Sequence, residues 1–599
     1  MIYPIAAFWL ILGSLMCANT CAIAESRLTA AMYHVSAEFE MDRPSPKGSA
    51  ETDGRVDAPT TPNEKISENN KTLWVVSPEP GDHADPDLEN GLAACIVKNG
   101  RKTATFILPG NNLYRVINPA ANESDRISFS SLDRSIVNTS GMFISKGFRV
   151  GMPIVIQGSE HNDGEYTISA VSDGKIVTSE TLLDESAGRN ISISFTIPSW
   201  ASIEVRGGAI LSVASSKVVK INGPLHAGLY QIFDGEGTIE LGKNNDDIYP
   251  EWFGTVAKVD ATVPMRKALA ATTKGKTLWL PNSTVTTTTL SVASSAVRIQ
   301  GRGPLSTLAL KPGANDHVLC AIEKNDLTLK DFTIDGTRHG QKYSWDNGIC
   351  GILLKGCRRC VLENLTVNNV VGGRSDPPFP GYAGIFIEDS EDCIVKNCTT
   401  NDSMYTGLTF LGGNGRHQVI GGSYNNSSHD SGVSTTNCPD VTLIGVRAHK
   451  SRWGGISING LRNRLVACTV RSSQATGLQI GHNLPGNDAS FSEVIGGEFS
   501  DNVNGVSIGG GDIVTQTGIK IIGANMIRNS VSGIYATGAC LSTFSLNTII
   551  GGEYGINLPQ DTDCQNVIIG NTTLGNSIRD IKGGGPQTSK GTLGEPSRP

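Results

Sequence analysis

Tyr382, Tyr405, Asp430 and Trp453 each stand two residues before a glycine that opens a short apolar segment. Three residues before that glycine stand Met404, His429 and Arg452, and five before it stand Asp346, Asp402, Ser427 and Lys450. The later repeats hold Ala475, Val503 and Val531 in the first column, and Gln474 and Asn502 in the second. Each residue alone reads as a solvated turn residue. Together they are different, because small or neutral residues fill the same positions elsewhere, so folding does not require the reactive set. A His or Lys base, an Arg that steadies developing negative charge, a Tyr that supplies a proton and an Asp that orients or polarises a neighbour form a proton-transfer constellation. Aromatics beside them offer flat apolar faces on which a ligand ring can stack.

The elements that must position these residues follow from the glycines themselves. Gly384, Gly407, Gly432, Gly455, Gly477, Gly505, Gly533 and Gly555 recur every 22 to 28 residues. Each opens an alternating triplet, such as Ile385-Phe386-Ile387 or Leu408-Thr409-Phe410, and a second short strand follows, as in Cys360-Val361-Leu362 and Val441-Thr442-Leu443. One repeat cannot bury its apolar face alone. Stacking at about 4.8 Å closes a shared core, which is a parallel β-helix, an all-β solenoid. Cys360 and Cys393 each lie nine residues after an opening glycine and are expected to stack as buried thiols, a disulfide between them being the alternative.

Composition agrees and narrows the field. The 599 residues include 69 Gly, with 18% charged and 6% aromatic residues, which excludes a helical bundle or coiled coil. A net charge of -7 argues against a general nucleic-acid binder. The apolar run from Ile5 to Cys17, followed by Ala22-Ile23-Ala24, reads as a signal peptide over residues 1–24, leaving a secreted or periplasmic chain with no membrane span. Residues 25–95 read as a linker and poorly ordered segment, and 583–599 as a disordered tail. Met265 to Thr273 is one expected helix. Nucleotide-binding glycine loops are absent from the sequence.

The repeat, with its glycine-opened strands, resembles the right-handed, single-stranded parallel β-helix proteins of the pectate lyase superfamily and the phage tailspike depolymerases. Gly208 to Leu211, Ile221 to Pro224, Tyr230 to Phe233 and Tyr249 to Gly254 resemble the lead-in coils found ahead of that helix. The Gly-Asp-Gly-x-x-Asp-Asp stretch that commonly follows is replaced here by Val256 to Val263. Lead-in coils are expected over 96–125 and 198–255, with a small β module inserted at 126–197 that resembles one in phage structural proteins, and the β-helix over 256–582. The resemblance implies a polysaccharide substrate, and several relatives use calcium, although no Asp-rich ligand spacing stands out here.

From Val441 to Asn487 there is no Asp or Glu, while Arg447, Lys450, Arg452, Arg462, Arg464 and Arg471 supply six positive charges. Such a patch on an acidic protein points to an anionic ligand, here an acidic polysaccharide. The expected catalytic set is Tyr405, His429, Asp430, Lys450 and Arg452, and the expected substrate contacts are Tyr382, Asp402, Trp453, His449, Arg447 and Arg471. Gly372 to Pro380 and His482 to Phe491 form long loops on either side. β-Elimination on a uronate polymer is the leading reading. A tailspike-like hydrolase would use two carboxylates, for which Asp346 and Asp402 are the candidates. A glycan-binding adhesin or spike is the non-enzymatic reading, and a homo-oligomer is compatible with each.

Overall fold

A computed structural model describes residues 65–68, 71–76, 87–100, 104–124, 126–255, 257, 259–342, 348–371, 383–482, 488–509, 515–558, 564–583 and 589–594. The expected signal peptide at 1–24 lies outside them, as do Tyr382 and Asp346. From Thr277 onward each coil contributes three short strands, here called ladders A, B and C. On the Gly432 coil these are Gln418–Ile420, Ser423–Asn425 and Val433–Thr436. Ladders A and B belong to one 25-stranded sheet and ladder C to a separate 12-stranded sheet, with neighbouring strands parallel.

The pattern of side chains explains the coil. In each three-residue A strand the middle residue points inward, and Leu362, Val395, Val419, Leu443 and Leu465 stack in the core. Residues of positive φ turn the chain from A to B, Asn397 at 51° on one coil and Gly421 at 65° with Gly422 at 91° on the next, a conformation that Asn and Gly adopt most readily. The opening glycines form one column for a different reason. A Cβ on Gly384 would lie 2.8 Å from the carbonyl oxygen of Gly407, one on Gly407 would lie 2.5 Å from that of Gly432, and one on Gly432 would lie 2.8 Å from that of Gly455. Close approach of successive backbones fixes the residue type.

Cys360 and Cys393 stack as expected, buried and free, among nine free buried cysteines of the described residues. A disulfide joins Cys540 to Cys564, a pairing that no sequence spacing announced. Inside the solenoid the fully buried Tyr424 hydroxyl has no hydrogen-bond partner. Tyr424→Phe is therefore expected to raise stability by about 1 kcal/mol, since an unpaired buried hydroxyl costs more than it contributes. Denaturant titration of the full chain measures this directly.

The lead-in coils are parallel ladders: Ala201–Val205 pairs with Ala104–Leu108, and Ile210–Val213 with Leu113–Val116. Between them lies a seven-stranded antiparallel sheet that starts at Ala120 rather than 126, because Ala120–Ser124 pairs with Asn190–Phe195. Glu165 of that sheet accepts hydrogen bonds from the Ser199 backbone and from Asn222, tying it to the lead-in coils.

Two expected irregular segments contain ordered structure. Strand Lys71–Val75 falls inside the expected linker at 25–95, and helix α1 (Leu88–Asn99) begins inside it and runs past its end. Leu88, Leu92 and Ile96 recur at helical spacing and are buried, an apolar stripe that straddles the expected boundary at 95. Strand Ser589–Gly594 likewise continues the A and B ladders within the expected tail. Helix α2 (Thr262–Ala271) buries Met265, Ala268 and Leu269 where a helix was expected. No described helix is long and apolar enough to cross a membrane.

Candidate functional site

The candidate residues lie at the corner between ladders B and C. Backbone bonds fix how successive corners stack: Ser428 N–H donates to Ser403 C=O, Arg452 N–H to Ser427 C=O, and Gln474 N–H to Ser451 C=O. Ser403, Ser427, Ser451 and Ser473 thus form a buried inward column. Beyond it the Gly432 coil carries one more residue than its neighbours. Asp402 to Gly407 and Lys450 to Gly455 span five positions, whereas their counterpart Asn426 to Gly432 spans six. Register resumes at Asp430, whose carbonyl accepts from Trp453 N–H at 3.4 Å. His429 is the extra residue. Insertions of this kind re-aim side chains and cluster near functional sites.

The geometry of His429 assigns its tautomer. Its Nδ1 lies 2.8 Å from the Met404 carbonyl, which can only accept, so Nδ1 carries the proton and a neutral ring keeps its lone pair on Nε2. The Ser428 hydroxyl sits 3.3 Å from the same Nδ1. His429 is half-buried, as is Tyr405 on the preceding coil.

Asp430 stacks between Tyr405 and Trp453. Its Oδ2 accepts from Thr406 Oγ1 at 3.3 Å and its Oδ1 from Ser431 Oγ at 3.2 Å. Burial pushes the carboxyl above its ordinary value, although these bonds and the charge of His482 favour the ionised form. His482 follows Gly481 at the end of ladder C, two coils on, and sequence reasoning treated it only as the start of a loop. A folded-state pKa raised in this way stabilises the protein at low pH, and that contribution is lost as pH rises through the raised value. Asp430→Asn is therefore expected to raise Tm relative to the parent more at pH 8 than at pH 4, as thermal melts at both pH values would reveal. An equal shift at both would mean that the carboxyl is not desolvated.

Arg452 and Trp453 complete the cluster. Both are exposed, Trp453 to 63%, and they stand on the coil after His429 and Asp430. Lys450 occupies the corner itself with φ 55°, exposed. Asp402 occupies the same corner two coils earlier, exposed, with its Oδ1 accepting from Asn426 at 3.2 Å. Its place in the stack matches Asn426 and Lys450 rather than Ser427, because counting back from Gly432 passes through the extra residue. Arg447, His449 and Arg471 lie on the outward face of ladder B, around the corner from His429.

The basic stretch is also partly neutralised. Arg462 pairs with Asp440 at 2.8 Å, Arg471 with Glu498 at 2.8 Å and Arg464 with Glu493 at 3.8 Å. Arg447, Lys450 and Arg452 make no ion pair among the described residues. Within those residues no cluster of three or more His, Cys, Asp or Glu is arranged to hold a metal ion.

This geometry is that of a right-handed parallel β-helix with Tyr405, His429, Asp430, Arg452 and Trp453 along one corner of three adjacent coils. Residues 350–517 match the family model described as the right handed beta helix region. None of the curated proteins matches the sequence. Among solved structures, the chain is similar to the A-module of a mannuronan C-5 epimerase from Azotobacter vinelandii, at 16% identity over 59% of this chain and 100% of that one, TM-score 0.39. It is also similar to the Dettilon tailspike protein, at 15% identity over 58% of this chain and 68% of that one, TM-score 0.43. A third is the catalytic unit of a thermostable α-1,3-glucanase from Streptomyces thermodiastaticus, at 12% identity over 80% and 89%, TM-score 0.44.

Proposed function

We propose that this chain is an exported polysaccharide-active protein that cleaves a uronate-containing glycan by β-elimination at the B–C corner of the Gly407, Gly432 and Gly455 coils. The observation that carries the reading is His429: an extra residue on its corner, with Nδ1–H committed to a carbonyl and Nε2 left as a base. Elimination needs that base to take the proton beside the uronate carboxylate. Arg452, one coil on, is suited to bind the carboxylate through two hydrogen bonds and to steady the charge that develops as the proton leaves. The C–O bond to the leaving sugar then breaks, a C=C bond forms, and the departing oxygen takes a proton from Asp430 or Tyr405. Asp430 is the better placed donor, because burial favours its protonated form. Trp453 supplies an exposed ring for stacking.

The same raised carboxyl favours a second reading, a hydrolase in which Asp430 is the general acid. Its two-carboxylate form finds less support, since Asp402 sits on the outer corner bonded to Asn426. Incubating the protein with a panel of acidic polysaccharides tests both, following ultraviolet absorbance of unsaturated uronates together with reducing ends. A rise in both signals supports elimination. Reducing ends alone support hydrolysis, and binding without either signal leaves a glycan-holding spike.

A further inference from the structure

The three unpaired cations of the basic stretch lie on one coil. Along Arg447–His449 the chain alternates, with Arg447 and His449 exposed on either side of buried Ala448. Lys450 turns the corner, Ser451 points inward with no exposure, and Arg452 and Trp453 are exposed beyond it. Cations therefore run in an arc around the Gly455 coil, from ladder B to the candidate site, perpendicular to the solenoid axis. The arc holds no acidic residue from Val441 to Gly460.

Its flanks differ in chemistry. On the Gly432 coil the matching positions are Ser423, Asn425 and Asn426, and on the Gly477 coil Thr469, Ser472 and Gln474 are neutral, with Arg471 paired to Glu498. The result is a cationic line bordered by hydrogen-bonding side chains. His449 extends it without adding charge near neutrality: its Nδ1 lies 2.9 Å from the Arg471 carbonyl, and desolvation with the nearby Lys450 and Arg471 charges holds its pKa below the ordinary value.

We propose that this arc is a guide track for a polyanionic glycan, which lies around the Gly455 coil from Arg447 through Lys450 to Arg452 before it reaches the reacting corner. The inference rests on the acidic-glycan reading above and adds the path of the chain. The cations Arg447 and Lys450 stand three residues, at most about 10 Å, apart along the chain. Anionic groups on successive sugars of an extended polymer meet cations at this scale, and hydroxyls between them meet the neutral flanks. A short oligosaccharide at the corner reaches Arg452 and Trp453 but not Arg447.

The test compares polymer with trisaccharide. Binding of alginate and of polygalacturonate, each as polymer and as trisaccharide, is measured by calorimetry in a His429→Asn background that prevents turnover. The polymer is expected to bind more tightly than its trisaccharide, and added salt is expected to shrink that advantage. Arg447→Gln combined with His449→Gln is expected to cut the polymer advantage about fivefold, the effect of one well-placed exposed ion pair. Arg452→Gln weakens both ligands. An unchanged polymer advantage in the Arg447/His449 variant overturns the track, as does equal binding of polymer and trisaccharide to the parent. Failure of the parent to bind any acidic polymer removes the acidic-glycan reading as well, so the two failures are distinct.

Discussion

Replacing His429 with Ala is expected to lower kcat/KM on the cleaved polysaccharide by about 100- to 10,000-fold, the range over which a positioned base accelerates proton transfer. Two companion variants separate chemistry from architecture. His429→Asn retains an N–H able to reach the Met404 carbonyl but provides no basic nitrogen, so it should lose as much activity as Ala while melting with the parent. Deleting residue 429 shortens the corner to the five-position span of the coils on either side. That deletion should also fold, because neighbouring corners already adopt the shorter path, and it should be inactive. Surface substitutions of this kind stay within about 0.5 kcal/mol in stability. Full activity in the Ala variant would mean that the base lies elsewhere, and Asp430 would become the residue to replace. Loss of folding in the deletion would show that the extra residue serves the corner rather than the chemistry.

The solenoid was legible because its signals are local and repeat: a glycine, an alternating triplet, a second strand, a polar turn. The candidate site was legible only in part, since its residues are defined by stacking across coils. Registering every coil on its glycine located Tyr405, Asp430 and Trp453 in one stack, but the extra residue put Ser427 where Asn426 stands. Counting from one anchor carries an insertion into every position upstream of it.

The basic stretch misled for a related reason. Between Val441 and Asn487 the sequence holds no acid, yet Arg462, Arg464 and Arg471 meet Asp440, Glu493 and Glu498. Those partners stand one coil away, some 22 to 29 residues along the chain, so a window along the sequence cannot see them. In a parallel stack the nearest charge is above or below, at about 4.8 Å, rather than beside. The same logic assigns Arg447 and His449 to ladder B and leaves Arg452 on the turn into ladder C, although only a few residues separate them. Helix α1 escaped notice in the opposite way: its stripe of Leu88, Leu92 and Ile96 is local, but it straddles the boundary drawn at residue 95.

Gly432→Ala should strongly destabilise the region of the site. A Cβ there would lie 2.8 Å from the Gly455 carbonyl oxygen, 3.0 Å from the Ala448 Cβ and 3.0 Å from the Tyr424 carbonyl oxygen. None of these atoms is the end of a flexible side chain, so relief requires the coils to move apart. Overpacking a rigid interior costs about 1–3 kcal/mol, and here it also strains the ladder bonds that join neighbouring coils. Gly445→Ala is the control: its φ of 62° disfavours a side chain, but no atom lies within 4 Å of the added Cβ. Its cost should stay near 1–2 kcal/mol, the conformational penalty alone. The two variants should also differ in where they act. Hydrogen exchange should rise in ladders B and C of the Gly407 to Gly455 coils for Gly432→Ala, and stay near the A–B corner for Gly445→Ala, because stability in a stack passes through neighbouring coils. Activity should fall with Gly432→Ala, since Asp430 and His429 hang from the same backbone segment. If both variants melted alike, close approach would not be what fixes glycine in the column, and the account of the repeat given by the stacked carbonyls would have to be abandoned.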